Sequence, residues 1–109
     1  MNKIIVLNFH LLPLQRKYES YNLNYDYEIS VNELVIVSNN PFKFNLTISG
    51  SSTWLANELV RSDGIFWGIL PFRFQKPFII PRRSGLTIEF EEFNNTEIRG
   101  QIILSGYII

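Results

Sequence analysis

Cysteine is absent from the 109-residue sequence, and histidine occurs once, as His10. Without thiols the chain has no disulfide framework, no thiolate metal ligand and no cysteine nucleophile. One histidine cannot form a histidine-rich metal site, and the sequence contains no G-x-S-x-G motif of a serine hydrolase. The apolar run around His10 favours a histidine at the core or at a strand edge, hydrogen-bonded to the backbone, over a catalytic base. We therefore expect no metal and no cofactor.

An excess of positive charge is also missing, since ten basic residues balance ten acidic ones. A neutral chain lacks the electrostatic attraction with which most proteins bind DNA or RNA. Four cations do cluster among phenylalanines, at Arg73, Lys76, Arg82 and Arg83, but an acidic segment follows them directly. The sequence contains neither a P-loop nor a G-x-G-x-x-G fingerprint. These observations predict no nucleic-acid partner and no nucleotide site.

Long hydrophobic runs are the third absence. The apolar run near the N-terminus is interrupted by Asn8, His10 and Pro13, and no small-residue cleavage site follows it. No stretch approaches the ~20 apolar residues that a membrane-spanning helix needs. We expect a soluble chain without an export segment or a membrane span, with residues 3–7 as its first strand.

Apolar residues are nevertheless abundant, at 46% of the chain, and aromatic residues make up 15%. This composition predicts a packed core rather than a disordered chain. The length is that of one domain, which we place at residues 1–109.

Apolar and polar residues alternate along several short segments. The sequence FKFNLTIS at 42–49 places every second residue, beginning with phenylalanine, on one apolar face, as a half-buried strand does. The segment LTIEF at 86–90 repeats this pattern. The run LVIV at 34–37 predicts a short strand buried on both faces. The last strand contains Gly100 and Gly106, which indicate a bulge or close packing.

Turn-forming residues separate these strands at 39–41, 49–52 and 63–64, and Asn-Asn at 94–95 predicts a hairpin between the last two strands. Only TWLANELV at 53–60 has a helical pattern. Without helices of ordinary length, a parallel sheet with helical crossovers is excluded. We predict an all-β fold, an antiparallel β-sandwich of the single jelly-roll type, with at most one short helix near 53–60.

The segment PFRFQKPFIIPRRSG at 71–85 contains three prolines, which cannot donate to a sheet ladder. It therefore predicts an extended connector or edge segment that runs over one end of the sandwich. Phe72, Phe74 and Phe78 would cover that end, and the cations would face water or a partner.

Three carboxylates, Glu89, Glu91 and Glu92, lie close together in the sequence, and Glu89 and Glu91 share one face of a strand, about 7 Å apart. Paired carboxylates serve glycoside hydrolysis, but acidic residues on a solvated strand face are far commoner, and one strand does not form a cleft. We expect no enzyme activity. Charge pairing with Arg82 and Arg83 of another subunit is the better hypothesis for these carboxylates.

Aromatic residues supply the remaining candidate sites. The tyrosine-rich stretch at 18–27 is typical both of an interface and of an ordinary strand, and both interpretations remain open. Trp54 and Trp67 could stack on a sugar ring, although their apolar neighbours favour burial. The candidate interface residues are Tyr18, Tyr21, Tyr25, Arg73, Lys76, Arg82 and Arg83.

Four segments in about the last two thirds of the chain follow one another in a recognisable order. They are FNLTI at 44–48, SGSSTW at 49–54, PFIIPRRSGLTIEF at 77–90 and ILSGY at 103–107. This combination resembles small β-sandwich proteins of bacteriophage virions, often capsid-associated jelly rolls. The resemblance implies a structural role in the virion and implies no catalytic residues.

Two functions from different classes are therefore expected. The first is a minor capsid or decoration protein of the virion, assembled in the host cytoplasm, which would act as a homo-oligomer and contact the major capsid protein or adjacent shell subunits. The apolar segments at both ends of the chain agree with it, because they should be tied into a sheet or buried against another subunit. The alternative is a carbohydrate-binding β-sandwich, also suited to receptor binding by a phage, with Trp54 or Trp67 as the sugar platform.

Overall fold

Eight β-strands make up the regular structure in the computed structural model, which describes residues 2–64 and 72–109. In chain order they are β1 (Asn2–Leu11), β2 (Arg16–Asn22), β3 (Ile29–Ser38), β4 (Lys43–Ile48), β5 (Val60–Arg61), β6 (Phe72–Ile80), β7 (Gly85–Glu91) and β8 (Ile98–Ile108). No helix in these two described ranges is long and apolar enough to cross a membrane.

The strands form two four-stranded sheets in which every neighbouring pair is antiparallel. The first sheet has the order β1-β8-β3-β6, and the second has the order β2-β7-β4-β5. Strands joined by a turn thus lie mostly in opposite sheets, as they do in a single jelly roll. The predicted fold class is confirmed.

The segment at 53–60, for which the sequence predicts at most one short helix, forms none: it forms bends, and Trp54 pairs with Thr47 in an isolated β-bridge. Eight residues gain too little from helical hydrogen bonds to offset the cost of nucleation, so the segment pairs with β4 instead. The turn at Asn94 and Asn95 exists, and Asn95 has the positive φ of 53° that asparagine tolerates. It does not close a hairpin, because β7 and β8 belong to different sheets.

The core is a single apolar layer between the sheets. Alternate residues of β4 and β7 point into it, as their two-residue period predicts. The largest fully buried side chains are Phe42, Phe44, Phe90, Leu11, Ile29, Leu34, Leu46, Ile80, Leu86, Ile88, Ile98 and Ile102. Asn45 and Thr47, predicted to face water, are buried because the loop at 51–59 covers the outer side of β4.

Strand β3 is buried on one face, and the predicted double burial of 34–37 is wrong. The register against both neighbours shifts between Val31 and Glu33, as it does at a β-bulge. Because of the extra residue, the side chain of Leu34 points into the core, as that of Val31 does. The side chain of Val37 points outward, and 53% of its surface is exposed.

Most of the proline-rich segment forms β6, an edge strand of the first sheet. Of the two predicted arrangements, a connector or an edge segment, the structure shows the edge segment. It runs along the sheet edge rather than over one end of the sandwich. Phe72, Phe74 and Phe78 are half-buried against the core, with ring centroids 5.4 Å and 6.4 Å apart in succession. Pro77 lies in the stretch 74–77 of β6, which has no register partner in β3, so it interrupts no ladder pair there. Pro71 lies outside the described residues.

Strand β8 lies between β1 and β3 along its whole length, and both chain ends are thereby tied into the first sheet. At its two glycines, Gly100 and Gly106, there is no room for a Cβ atom. A Cβ at Gly100 would lie 2.5 Å from the Val37 carbonyl oxygen, and one at Gly106 would overlap the backbone of Ser30. The predicted close packing at these glycines is confirmed.

A buried carboxylate organises one end of the sandwich. Glu92 is 2% exposed and accepts hydrogen bonds from the backbone N–H groups of Leu14 (2.7 Å), Asn94 (2.6 Å) and Thr96 (3.0 Å). Burial alone raises the pKa of a carboxyl group, but these N–H donors outweigh it and hold the pKa of Glu92 below its ordinary value of 4.5. Leu14, whose φ is an uncommon 59°, lies in the connection between β1 and β2. Its hydrogen bond to Glu92 joins that connection to the one between β7 and β8.

We predict that Glu92→Gln lowers the free energy of unfolding at pH 7 by about 1–3 kcal/mol, because an uncharged amide cannot match the carboxylate as an acceptor for three backbone N–H donors. The folded pKa lies below the unfolded value, so the stabilisation is complete above about pH 4.5 and disappears as the pH falls through the folded pKa. Urea unfolding at a series of pH values should therefore show the two proteins converging in acid.

Glu91→Gln is the matched control, because the Glu91 side chain lies on the outer face of β7 and lines a groove there. Its effect at pH 7 should be within about 0.5 kcal/mol. Wild-type stability in Glu92→Gln at pH 7 would contradict the role assigned to this carboxylate.

Candidate functional site

The sequence-predicted interface residues do not form one surface. Tyr18 lies on the outer face of β2 and is 64% exposed. Tyr21 points inward from the same strand, donates its hydroxyl to the Asn8 carbonyl oxygen at 2.9 Å, and has its pKa raised by burial. Arg73 and Lys76 lie on β6, at the edge of the first sheet that is remote from β1.

The remaining interface candidates lie at the end of the sandwich that carries the N-terminus. The Arg83 N–H donates to the Tyr25 carbonyl oxygen at 2.7 Å, and the Arg83 guanidinium bonds Asp26 at 2.9 Å. The Tyr25 ring stacks on Tyr27 at 5.2 Å, with the Lys3 ammonium 4.3 Å from its centroid. These contacts are within one chain.

Three of the charges assigned to pairing between subunits, Glu89, Glu92 and Arg83, have partners within the chain. Arg16 bonds Glu89, and Arg73 bonds Glu33 at 3.0 Å. The Nε2 atom of His10 lies 3.1 Å from a Glu97 carboxylate oxygen. The position predicted for this histidine, at the core or at a strand edge, is confirmed, because His10 is half-buried on the edge strand β1. Among residues 2–64 and 72–109, no three potential metal ligands come together.

The first sheet carries exposed apolar residues on its outer face. In register across the sheet, Val6 of β1 lies beside Ile103 of β8, which lies beside Val35 of β3. Ile4 and Val6 are 66% and 47% exposed. Val37, which is 53% exposed, lies in the next row of the sheet, in register with Gln101. We call this surface the outer apolar face; it consists of Ile4, Val6, Val35, Val37 and Ile103.

Three of the four sheet edges have features that prevent pairing with another chain. Edge strand β6 contains Lys76 and Pro77, edge strand β2 is rich in charge, and β5 has only two residues. Charged residues, proline and short length are the usual protections of an exposed edge.

The fourth edge, β1, is protected over half of its length. The Asn8 carbonyl oxygen accepts from the Tyr21 hydroxyl, and the His10 carbonyl oxygen accepts from the Lys17 ammonium at 2.7 Å. Alternation in an antiparallel ladder directs the N–H and C=O groups of Ile4 and Val6 to the same side. Within the described part of the chain, no strand lies on that side. We call residues 2–6 the free edge segment.

The second sheet carries a groove of about 810 Å³ on its outer face. Its floor is formed by outward residues of β2, β7 and β4, and its wall by the loop at 51–59. We call it the outer groove; it is lined by Arg16, Tyr18, Lys43, Asn45, Ser52, Trp54, Leu55, Ala56, Asn57, Glu58, Leu59, Glu89 and Glu91.

Charged groups occupy the floor of the outer groove. The Arg16 guanidinium donates twice to one oxygen of Glu89, through Nε at 3.0 Å and Nη2 at 2.8 Å. Glu91 lies in register between Arg16 and Lys43. In the described ranges, neither carboxylate oxygen of Glu91 nor the second oxygen of Glu89 accepts a hydrogen bond, so acceptor atoms remain available to a ligand.

Two aromatic rings lie beside these charges. The Tyr18 and Trp54 centroids are 6.2 Å apart, with an angle of 55° between the ring planes. Trp54 is half-buried, and its backbone is fixed by the bridge to Thr47. The second predicted sugar platform, Trp67, lies outside the described residues.

Asn45 holds the wall of the groove in place and was missed at the level of sequence. Its side-chain Nδ2 donates to the Ala56 carbonyl oxygen at 2.8 Å, and its Oδ1 accepts from the Ala56 N–H at 3.1 Å. The Leu55 N–H donates to the Leu46 carbonyl oxygen at 2.8 Å in the same region. A polar residue at an alternate strand position predicts solvent exposure, and only the fold of the loop reveals its burial.

Comparisons with models of protein families, with curated proteins and with solved structures found no match to this chain. The class established for the protein is therefore that of its fold, a single jelly-roll sandwich.

We predict that Asn45→Ala frees the loop at 51–59 from β4, because it removes both hydrogen bonds that this side chain makes to Ala56. Amide hydrogen exchange at Leu55 and Ala56 should accelerate by roughly fivefold or more, as expected when about 1–3 kcal/mol of local hydrogen bonding is lost. Asn57→Ala, in the exposed part of the same loop, is the control and should leave both amides protected. Unchanged exchange in Asn45→Ala would show that the wall is held by other contacts.

Proposed function

We propose that this chain is a structural component of a bacteriophage virion, a minor capsid or decoration subunit that acts through protein–protein contacts. Jelly-roll sandwiches are common among viral capsid domains, although a fold by itself defines no function. The resemblance of residues 44–107 to phage β-sandwich proteins supports the same role. The surface of the first sheet supplies the physical argument.

The observation that carries the proposal is the contrast between the free edge segment and the other three edges. An unprotected apolar strand edge is a liability in a monomer, since its N–H and C=O groups are a template for another strand. Selection removes such edges unless they are used. The segment at 2–6 combines open backbone groups with Ile4 and Val6, and it continues into the outer apolar face.

The partner that fits the free edge segment best is a second copy of the chain. Two such segments can pair antiparallel about a two-fold axis, which joins the two first sheets into one and satisfies the backbone groups of both. The two outer apolar faces then lie side by side on one surface of the dimer. This doubled apolar surface is the contact that we assign to the major capsid protein or to adjacent shell subunits.

Carbohydrate binding, the alternative function, does not compete with this role for the same residues. The free edge segment and the outer apolar face belong to the first sheet, whereas Trp54 and the outer groove belong to the second sheet.

We predict that Ile4→Pro converts the oligomer into a monomer, because it removes an N–H that points to the open side of β1 and leaves the pairing with β8 intact. Val6→Lys should do the same by placing a charge at the contact. Molar mass from light scattering after size exclusion, at several concentrations, measures the change. Val37→Lys, on the same outer face but on β3, is the control and should remain oligomeric. A wild-type chain that is monomeric at all concentrations would contradict edge pairing.

The virion role itself is tested by quantitative peptide mass spectrometry on purified particles of a phage that encodes the chain. We expect recovery at a fixed molar ratio to the major shell protein. The ratio would also indicate whether the subunit occupies faces, vertices or the tail. Absence of the chain from clean particles would overturn the proposal, whatever its oligomeric state in solution.

A further inference from the structure

The outer groove combines the two features with which proteins recognise sugars. An aromatic pair, Tyr18 and Trp54, offers apolar ring surface, and the charged floor offers both hydrogen-bond donors and acceptors. A pyranose ring has C–H groups on one face and hydroxyl groups around its rim, and each hydroxyl both donates and accepts. Carboxylates accept from such hydroxyls, and guanidinium or ammonium groups donate to them.

We infer that the outer groove is a binding site for a neutral saccharide, with one sugar ring against Tyr18 and Trp54 and its hydroxyls on Glu89, Glu91 and Arg16. This inference goes beyond the proposed structural role and does not depend on it. Lectin domains are among the proteins that use the jelly-roll fold, which agrees with the inference but does not carry it.

The groove is organised before any ligand arrives. Asn45 and Thr47 fix the loop wall through hydrogen bonds to Ala56 and Thr53, and the bridge to Thr47 sets the position of Trp54. Arg16 holds one oxygen of Glu89 and leaves the other oriented and available. Rigid groups lose little conformational freedom on binding, so even a few hydrogen bonds yield measurable affinity.

The charge of the groove excludes acidic sugars as the preferred ligand. Two cations, Arg16 and Lys43, face three carboxylates, Glu58, Glu89 and Glu91. A sialic acid or a sulfated sugar would add a further negative charge to a surface that already has an excess of it. A neutral hexose or N-acetylhexosamine meets no such repulsion.

The size of the groove fits more than one sugar ring. Its volume of about 810 Å³ lies within the ~300–1,000 Å³ of sites that hold drug-sized ligands. The groove is open to solvent, so a chain of sugars can enter and leave without a conformational change. Because the site lies on the second sheet, it stays accessible in a dimer joined through β1, and two sites in one particle can bind a polysaccharide together.

The test is binding of the purified full chain to a printed array of neutral oligosaccharides built from hexoses and N-acetylhexosamines, with sialylated and sulfated glycans on the same array. The oligosaccharide that binds best is then titrated in solution by calorimetry. We expect neutral glycans to bind and acidic ones to bind at least roughly tenfold more weakly. Tyr18→Ala and Trp54→Ala should each lower the affinity by roughly tenfold.

Matched variants separate loss of the site from loss of the fold. Tyr18 is mostly exposed at an edge strand, so Tyr18→Ala keeps the sandwich intact even if Trp54→Ala disturbs the loop. Tyr107→Ala, an equally large change on the first sheet, should bind glycan as the wild type does. Circular dichroism and molar mass of each variant confirm that the fold and the oligomer are unchanged.

Three results would overturn the inference: no neutral glycan binds the wild-type chain, binding survives in both Tyr18→Ala and Trp54→Ala, or a peptide occupies the groove and no glycan displaces it. None of these results would bear on the virion role, because that role is judged by the composition of purified particles. Conversely, if the chain is absent from particles but binds neutral glycan through Tyr18, the inference about the groove stands and the proposed virion role is overturned.

Discussion

The pairing of β8 with β1 on one side and β3 on the other is the constraint on which the first sheet depends. It holds only because the inward positions 100 and 106 carry no side chain, so that neighbouring backbone can occupy the space of a Cβ. Through this pairing the two ends of the chain become one surface: Ile4 of β1, Ile103 of β8 and Val35 of β3 share an outer face although about a hundred residues separate the first two in sequence. A local sequence pattern cannot reveal such a surface.

The two-residue alternation at 42–48 and 86–90 specifies strands directly, because one face of each is buried and the other is not. The same rule fails in β3, where the apolar run suggests burial on both faces. The spacing of three residues from Val31 to Leu34 is the signal of a bulge, and it could have been recognised. The turn at Asn95 was recognisable from residue type, but turn chemistry does not say which sheet the next strand joins.

The sequence predicts individual residues of the outer groove, but not that they lie together. Tyr18, Trp54 and Glu89 each stand out in the sequence, but they meet because β7 lies between β2 and β4 and because the loop at 51–59 folds back over β4. The burial of Asn45 depends on that loop alone. Long-range adjacency of this kind follows from strand order, which periodicity does not encode. The interface residues drawn from composition, by contrast, are dispersed, since tyrosines and cations occur on every side of a small sandwich.

The two sheets of the sandwich face in opposite directions, and a single apolar layer separates them. This gives the sandwich two outer surfaces that point in opposite directions. In the virion role proposed above, a shell assembled through the first sheet would present the second sheet outward in every copy, with the same orientation and at a spacing set by the lattice beneath. Anchoring and display would then be properties of opposite surfaces, so that substitutions on one surface leave the other unchanged.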